Sequence, residues 1–278
     1  MTIVVTGSTG KVGSHVLDRL TALSIPARGA GRRSRIPLDW EKPDTWAPAV
    51  QEATALFLVV PGGDDGYRSV AGLGERICEF IGVAEQAGVA RIVLMTALGM
   101  QYAPSEVEQR AVELALQRSG LHSTIVRPNW FFQNATAGVL RDLAAAGDGV
   151  LRLPVGEARA SFVDARDVAA VCVRALTDDL SGQELDVTGP AALTFAELAT
   201  AASQLDGPLC SFESISAQRF RADAEDLGWD PDYTDVFCGL MAAIASGSAA
   251  TVTDAVATVT GRPATTLAEF IADQQRAA

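Results

Sequence analysis

The sequence predicts an α/β protein built on a doubly wound parallel sheet, with a small, mainly helical lobe in its C-terminal half. Short apolar runs alternate with amphipathic stretches through the first half of the 278 residues, which is typical of right-handed βαβ units. Two of the runs, ALFLVV and RIVLM, are continuously apolar apart from the arginine that opens the second, as expected of strands that are covered on both faces. A glycine-rich turn follows the first run directly.

The elements of the first half can be assigned in order. Strands are expected at TIVVT, PARGA, TALFLVV, ARIVLMT and HSTIVRP. Helices are expected between them, at about 11–22, 44–52, 67–87 and 104–119. The segment GRRSRIPLDW after the second strand has room only for a turn and a shortened third strand.

The second half carries two N-terminal helix signals. Asp164 in FVDARD is a candidate N-cap with Arg166 as a local ion-pair partner, and Thr194 is followed three residues later by Glu197, as in a capping box. We therefore expect a strand or two to return to the sheet and the last 60 residues to be mostly helical. The predicted core comprises residues 1–128, with 160–190 returning to it, and the predicted lobe comprises 129–159 and 191–278.

Composition excludes several classes of protein. A net charge of −12 argues against a nucleic-acid partner, and no apolar run reaches the about 18 residues of a membrane span. The start MTIVVTG predicts no signal peptide and hence a cytoplasmic protein. Two histidines and scattered carboxylates predict no metal site. The cysteines lack zinc-site spacing and are expected to be buried free thiols: Cys78, Cys172, Cys210 and Cys238.

The glycine turn has the pattern G-x-x-G-x-x-G, at Gly7, Gly10 and Gly13. A triphosphate-binding P-loop is rejected because the glycine spacing differs and because Lys11 is followed by Val12, where Ser or Thr is required. A Rossmann-type dinucleotide site fits. The first glycine makes the sharp turn, the second lets the backbone approach the pyrophosphate, and the third lets helix and strand pack closely. The alternative is a tight turn without a ligand.

The segment after the second strand indicates which cofactor is preferred. No acidic residue lies between Asp18 and Asp39, so nothing there would hold the ribose hydroxyls of NAD(H). The strand instead runs into GAGRRSR, where Arg32 and Arg33 could hold the 2′-phosphate of NADP(H). We expect NADP(H) to be preferred over NAD(H), with a solvated basic turn as the alternative.

Several motifs together resemble a known family. They are VTGSTGKVG, LDWEKPDTW, GVARIVLMTALG, SGLHSTIVRPNWFFQN, FVDARDVAAVCVRAL, LDVTGPAALTFAEL and VTDAVATVTGRPATTLAEF. They extend across nearly the whole chain and resemble the NmrA-like branch of the atypical short-chain dehydrogenase/reductases. The branch includes bacterial relatives of ergot-alkaloid reductases and of NAD(P)H:quinone reductases.

The resemblance implies positions for the cofactor and the substrate. The pyrophosphate would lie among Gly7, Ser8, Thr9, Gly10, Lys11 and Val12. Arg32 would face the 2′-phosphate, Asp39 the adenine, Val60 and Pro61 the ribose, and Thr96 with Pro128 the nicotinamide. The substrate pocket would contain Met100, Trp130, Phe131 and Asn134, although core packing is an equal alternative for the aromatic rings.

The chain departs from the dehydrogenase pattern at its catalytic pair. Short-chain dehydrogenases use Tyr-x-x-x-Lys, in which the lysine lowers the pKa of the tyrosine. Here Glu106 stands four residues after Tyr102, and no lysine follows position 42. Thr96 occupies the region of the usual active-site serine, and Tyr67 is a further candidate acid or base.

These observations predict an NADPH-dependent reductase that passes hydride to a conjugated, iminium-type or quinone small molecule, and natural-product biosynthesis is the setting that the resemblance implies. Such acceptors do not need a strong proton donor on the enzyme. The alternatives are a non-catalytic NADP(H)-binding sensor and an enzyme of the same fold that catalyses a rearrangement or cyclisation. A monomer or homodimer that binds a small molecule is expected.

Overall fold

A computed structural model describes residues 2–61 and 72–277. The strands are β1 Ile3–Thr6, β2 Ala27–Ala30, β3 Ala55–Val59, β4 Arg91–Met95, β5 His122–Pro128, β6 Val150–Leu153, β7 Arg159–Ala160, β8 Glu184–Val187, β9 Leu193–Thr194 and β10 Ser211–Ser214. The helices are α1 Gly13–Ala22, α2 Trp46–Val50, α3 Leu73–Gln86, α4 Glu108–Arg118, α5 Val139–Ala146, α6 Ala165–Thr177, α7 Phe195–Ala202, α8 Ala217–Asp226, α9 Pro231–Ala245, α10 Ala255–Thr260 and α11 Leu267–Ala277.

The central sheet has six parallel strands in the order β2-β1-β3-β4-β5-β8. The five strands predicted for the first half are confirmed, and β8 is the strand that returns from the second half. The shortened strand expected in GRRSRIPLDW is reduced to one bridge between Ala30 and Ile36, because the chain turns after Gly31, whose carbonyl oxygen accepts the N–H of Ser34 at 3.1 Å. Tyr67 and the start of the predicted third helix lie outside the described residues.

Helices cover both faces of the sheet. On one face, α1, α6 and α10 bury Val16, Val168 and Val256 against the strands. On the other face, α2, α3 and α4 bury a second apolar layer that includes Phe80 and Val112. This two-sided cover explains why β3 is apolar throughout and β4 is apolar after Arg91, and it confirms the predicted Rossmann-type α/β fold.

A separate apolar core lies among α5, α7, α8, α9 and α11. It contains stacked and edge-to-face aromatic rings, at Phe132, Phe162, Phe195, Phe220 and Phe270. Two short sheets, β6 with β10 and β7 with β9, adjoin it. Phe162 packs in this second core, although it belongs to the segment 160–190 that is expected to return to the sheet. The predicted boundaries of core and lobe stay a prediction.

Both predicted helix caps are confirmed. The carboxylate of Asp164 accepts the N–H of Arg166 at 2.8 Å and pairs with its guanidinium. Thr194 and Glu197 form a reciprocal capping box at the start of α7. Arg166 also reaches Asp273 of α11 at 2.6 Å, so the cap ties the last helix to α6 as well.

The prediction of four buried thiols is partly wrong. All four cysteines are free, and Cys172 and Cys238 are buried, but Cys78 is only partly buried and Cys210 is exposed. Cys210 precedes β10, a strand whose sole described partner is β6, so little covers it. Within residues 2–61 and 72–277, no helix is both long enough and apolar enough to cross a membrane.

Candidate functional site

Four segments meet at the carboxyl edge of the sheet. All six strands run in the same direction, so the residues that end them lie along one edge. Gly7 follows β1, Val60 and Pro61 follow β3, Thr96 follows β4, and Pro128 ends β5. Ligands of open parallel sheets bind at this edge, and these are residues that the sequence assigns to the cofactor.

The turn between β1 and α1 requires its glycines. Gly7 has φ +58°, and a Cβ there would lie 2.7 Å from a methyl carbon of Val59. The N–H of Gly10 donates to the carbonyl oxygen of Gly7 at 2.9 Å. A Cβ on Gly13 would lie 2.2 Å from the same carbonyl oxygen, so only glycine lets α1 begin this close to the strand. The resulting exposed backbone turn at a helix N-terminus fits a pyrophosphate.

A cleft of about 280 Å³ opens beside this turn. Its described lining comprises Thr6, Gly7, Thr9, Ala30, Gly31, Arg32, Leu38, Asp39, Trp40, Glu41, Val59, Pro61 and Leu73. The cleft therefore joins the glycine turn to the basic segment after β2. Arg32 lines it, and Arg33 is exposed nearby in the sequence. Ser8 lies beneath the turn, with its hydroxyl 3.4 Å from that of Ser34, and Val12 is buried behind it.

Asp39 is held in place at the far end of the cleft. Its carboxylate accepts the backbone N–H of Glu41 at 3.1 Å and lies 3.3 Å from the ammonium of Lys42. Its carbonyl oxygen accepts the indole N–H of Trp46 at 2.9 Å. These contacts fix the segment as a wall of the cleft, and the contact of Asp39 with adenine stays a prediction.

A buried ion cluster lies behind Thr96. The Thr96 hydroxyl donates a hydrogen bond to Oε1 of Glu113 at 2.6 Å. Arg127 grips the same carboxylate with two hydrogen bonds of 2.8 Å, and Arg110 adds a third N–H at 2.8 Å. Glu113 and Arg127 expose 0% and 2% of their surface, while Glu184 pairs with Arg127 at 2.7 Å from a more open position.

These contacts keep Glu113 ionised. Burial alone would raise the pKa of Glu113, but hydrogen bonds from Arg127, Thr96 and Arg110 lower it below its usual value. An ionised carboxylate only accepts hydrogen bonds. The proton of the Thr96 hydroxyl is therefore committed to Glu113, and the hydroxyl can offer a ligand nothing but its lone pairs.

Asp186 extends the cluster toward the turn Met100–Tyr102. It accepts the amide of Gln101 at 3.1 Å and lies 3.9 Å from Arg127. Burial raises the pKa of Asp186, with Arg127 acting in the opposite direction. Tyr102, the predicted acid or base, is 85% exposed.

The residues predicted to line the substrate pocket occupy different environments. Met100 is partly buried in the turn after β4. Trp130 packs edge-to-face on Phe195 at 6.2 Å, within the lobe, whereas Phe131 packs on the sheet. Asn134 accepts a hydrogen bond from the Lys11 ammonium at 3.0 Å, which joins the lobe segment to the glycine turn.

Sequence reasoning missed Glu113, Arg127 and Asp186. One signal was available for Arg127, because it directly follows the apolar pair IV in the strand HSTIVRP, and an arginine is almost never fully buried without a partner. The sequence does not identify that partner, because Glu113 lies on a different element, the helix α4, and meets Arg127 only when α4 packs on the strand.

The parallel sheet, the glycine turn and the cleft at its carboxyl edge define a dinucleotide-binding protein of Rossmann type. The chain belongs to the NAD(P)H-binding oxidoreductase family, whose model, described as NAD(P)H-binding, matches residues 7–179. It is 32% identical to an NAD(P)H azoreductase of Xenophilus azovorans, over 96% of each chain. It is 25% identical to an agroclavine dehydrogenase of Claviceps fusiformis, over 99% of this chain and 98% of that one.

Among solved structures, the NADPH complex of quinone oxidoreductase QOR2 from Escherichia coli superposes with a TM-score of 0.80. It covers 98% of this chain and 99% of the other at 21% identity, which establishes the shared fold. Together these relatives confirm the predicted resemblance to dehydrogenases and quinone reductases.

Proposed function

We propose that this protein is an NADPH-dependent reductase that transfers hydride to a small conjugated acceptor, such as a quinone, an iminium ion or an azo compound. The observation that carries the proposal is the hydrogen bond from the Thr96 hydroxyl to Glu113. It leaves the predicted nicotinamide end of the site without a proton donor at this position, and so favours acceptors that need none.

The rest of the described site is consistent with the lack of a proton donor at Thr96. No lysine follows position 42 in the sequence, and the Tyr102 side chain stands in solvent. General acid catalysis contributes about 10²–10⁴-fold to the reactions that use it. A reaction that depends on it, such as reduction of a saturated ketone, would be slow here.

Conjugated acceptors avoid this penalty. A bound NADPH would supply a hydride and leave as NADP⁺. An iminium ion becomes a neutral amine by gaining the hydride alone, whereas a quinone or an azo compound also takes one proton, which water can provide. The chain's contribution is then to hold the acceptor against the nicotinamide, a role we assign to Met100, Trp130, Phe131 and Asn134.

Preference for NADPH over NADH is part of the proposal and depends on Arg32. Its side chain lines the cleft at the end of β2, where a guanidinium can hold a 2′-phosphate with paired hydrogen bonds. The names of the azoreductase and agroclavine dehydrogenase relatives support an aromatic or nitrogen-containing substrate, and the latter favours a biosynthetic setting.

The test is NADPH oxidation with matched acceptors: a naphthoquinone, methyl red, an N-methyl dihydroisoquinolinium salt and cyclohexanone. We expect the conjugated acceptors to be reduced and cyclohexanone to react at least about 100-fold more slowly. Reduction of cyclohexanone at a comparable rate would refute the proposal that the site has no effective proton donor. Binding of NADPH without turnover of any acceptor would instead support the sensor alternative.

A further inference from the structure

Lys11 connects the glycine turn to the segment that leads into the lobe. Its ammonium donates a hydrogen bond to Oδ1 of Asn134 at 3.0 Å, although the two residues are 123 positions apart. Asn134 belongs to the 3₁₀ turn Phe132–Ala135, which is followed closely by α5. A side chain from the predicted pyrophosphate cradle therefore contacts a residue predicted to line the substrate pocket.

Gly138 determines how closely the ammonium approaches this segment. Its φ is +97°, and a Cβ there would lie 2.7 Å from Nζ of Lys11. Any other residue would strain the backbone at this φ, and its Cβ would displace the ammonium from this position. The ammonium thus packs directly on the main chain at the residue that precedes α5.

The position is electrostatically unfavourable for an unaccompanied positive charge. Burial lowers the pKa of Lys11, and the charge of Asp142 acts in the other direction. The N-terminal end of a helix carries partial positive charge, so the start of α5 adds repulsion that Asp142, in its first turn, offsets. Negative charge arriving at the glycine turn would stabilise the ammonium where it already lies.

We propose that Lys11 is a positioning residue that couples occupancy of the dinucleotide cleft to the order of residues 132–146. A pyrophosphate at the turn strengthens the hold of the ammonium on Asn134 and Gly138, and so fixes one wall of the acceptor pocket. Because coupling is reciprocal, an acceptor that orders the same segment tightens dinucleotide binding. The inference rests on the proposed binding of a dinucleotide at the glycine turn and not on which acceptor is reduced.

A competing account makes Lys11 a phosphate ligand with no influence on the lobe. The two accounts differ in what they expect of the segment and of Asn134. If Lys11 only binds phosphate, NADP⁺ leaves 132–146 unchanged and Asn134→Ala has no consequence for the response to NADP⁺. If Lys11 couples the two, both Lys11→Met and Asn134→Ala abolish that response.

The experiment is hydrogen exchange of the peptides that span 132–146, with and without saturating NADP⁺. NADP⁺ binding is measured separately by calorimetry. In the wild type we expect NADP⁺ to slow exchange in these peptides. Lys11→Met should bind NADP⁺ about tenfold more weakly, as for loss of one charged hydrogen bond, and should show no slowing at saturation. Asn134→Ala should bind NADP⁺ more tightly than Lys11→Met does, with an affinity closer to that of the wild type, and should also show no slowing.

Arg118→Met is the matched control, because it removes one positive charge from the exposed end of α4 and should keep the NADP⁺-dependent slowing. The coupling is refuted if wild-type protein binds NADP⁺ without slowed exchange, or if either variant keeps the full slowing. Absence of NADP⁺ binding to the wild type overturns the proposed cofactor and this inference together.

Discussion

Replacing Glu113 by Gln tests the buried cluster at its centre. The wild-type carboxylate accepts four hydrogen bonds, namely two from Arg127, one from Arg110 and one from the Thr96 hydroxyl. A glutamine side chain has the same shape but must place an NH₂ group where one of these oxygens stood. On one side that group opposes the Arg127 and Arg110 N–H groups, and on the other it opposes Thr96 and the second Arg127 N–H.

The cost follows from burial and from what remains of the pairing. Glu113 is fully buried and Arg127 is 2% exposed, so the substitution leaves a buried guanidinium with part of its charge uncompensated. Breaking such a pair costs about 3–5 kcal/mol. Arg127 retains Glu184 at 2.7 Å, so we expect the free energy of unfolding to fall by about 3 kcal/mol, the lower end of that range.

Urea unfolding followed by circular dichroism measures this loss. Glu184→Gln is the control, since Glu184 pairs with the same arginine but is 41% exposed; it should cost no more than about 1 kcal/mol. A change of less than about 1 kcal/mol for Glu113→Gln would refute the claim that the cluster is a strongly coupled buried pair.

The pH dependence gives an independent check with a definite sign. The pKa of Glu113 is lower in the folded protein than its usual value of 4.5, so its stabilisation is fully present above that value. It is lost as the pH falls through the lower folded pKa. The difference between wild type and Glu113→Gln should therefore be constant near neutral pH and shrink in acid. A difference that grows as the pH falls contradicts the assignment.

Three further predictions concern the glycine turn, the cofactor and the thiols. In Gly13→Ala the added Cβ would lie 2.2 Å from the Gly7 carbonyl oxygen, so calorimetry should detect no NADP⁺ binding. Gly82→Ala is the control, because its added Cβ meets nothing within 4 Å. It should leave binding intact and stabilise α3 by about 0.5–1 kcal/mol. Arg32→Ala should weaken NADPH binding about tenfold while leaving NADH binding unchanged; equal loss for both would refute a 2′-phosphate contact. In the native protein, Ellman's reagent should react quickly with exposed Cys210 and not with Cys172, whose pKa burial raises; protection of Cys210 would contradict its exposure.

The fold was readable from the sequence because its signals are local. An apolar strand, a glycine turn and a helix cap each occupy fewer than about ten consecutive residues. The shortened strand after β2 was also predicted, although its reduction to a single bridge was not. The glycine spacing predicted the turn because steric contact with the Gly7 carbonyl leaves no alternative at Gly13.

The contacts that give the candidate site its chemistry are not local. Glu113 meets Arg127 across a helix–sheet interface, and Lys11 meets Asn134 over 123 positions. The residues themselves could be seen in the sequence, but charged residues are usually solvated, and only the packing of α4 and of the lobe segment shows which ones are paired. Thr96 could therefore be named from the sequence as a candidate site residue, but the direction of its hydrogen bond could not be predicted.

The charge balance near Thr96 differs from that of a Tyr-Lys site. A Tyr-Lys pair uses a positive charge to stabilise a phenolate. Among the described residues, three carboxylates, Glu113, Glu184 and Asp186, surround Arg127, and Arg110 adds a second positive charge. Such a cluster opposes a nearby phenolate and favours positive charge. Under the proposed function, a bound NADPH would gain positive charge on its nicotinamide as it gave up hydride, and an iminium acceptor would bring positive charge to the site at the outset. We therefore expect the charge balance at this site to favour cationic, conjugated acceptors, in line with the proposed function.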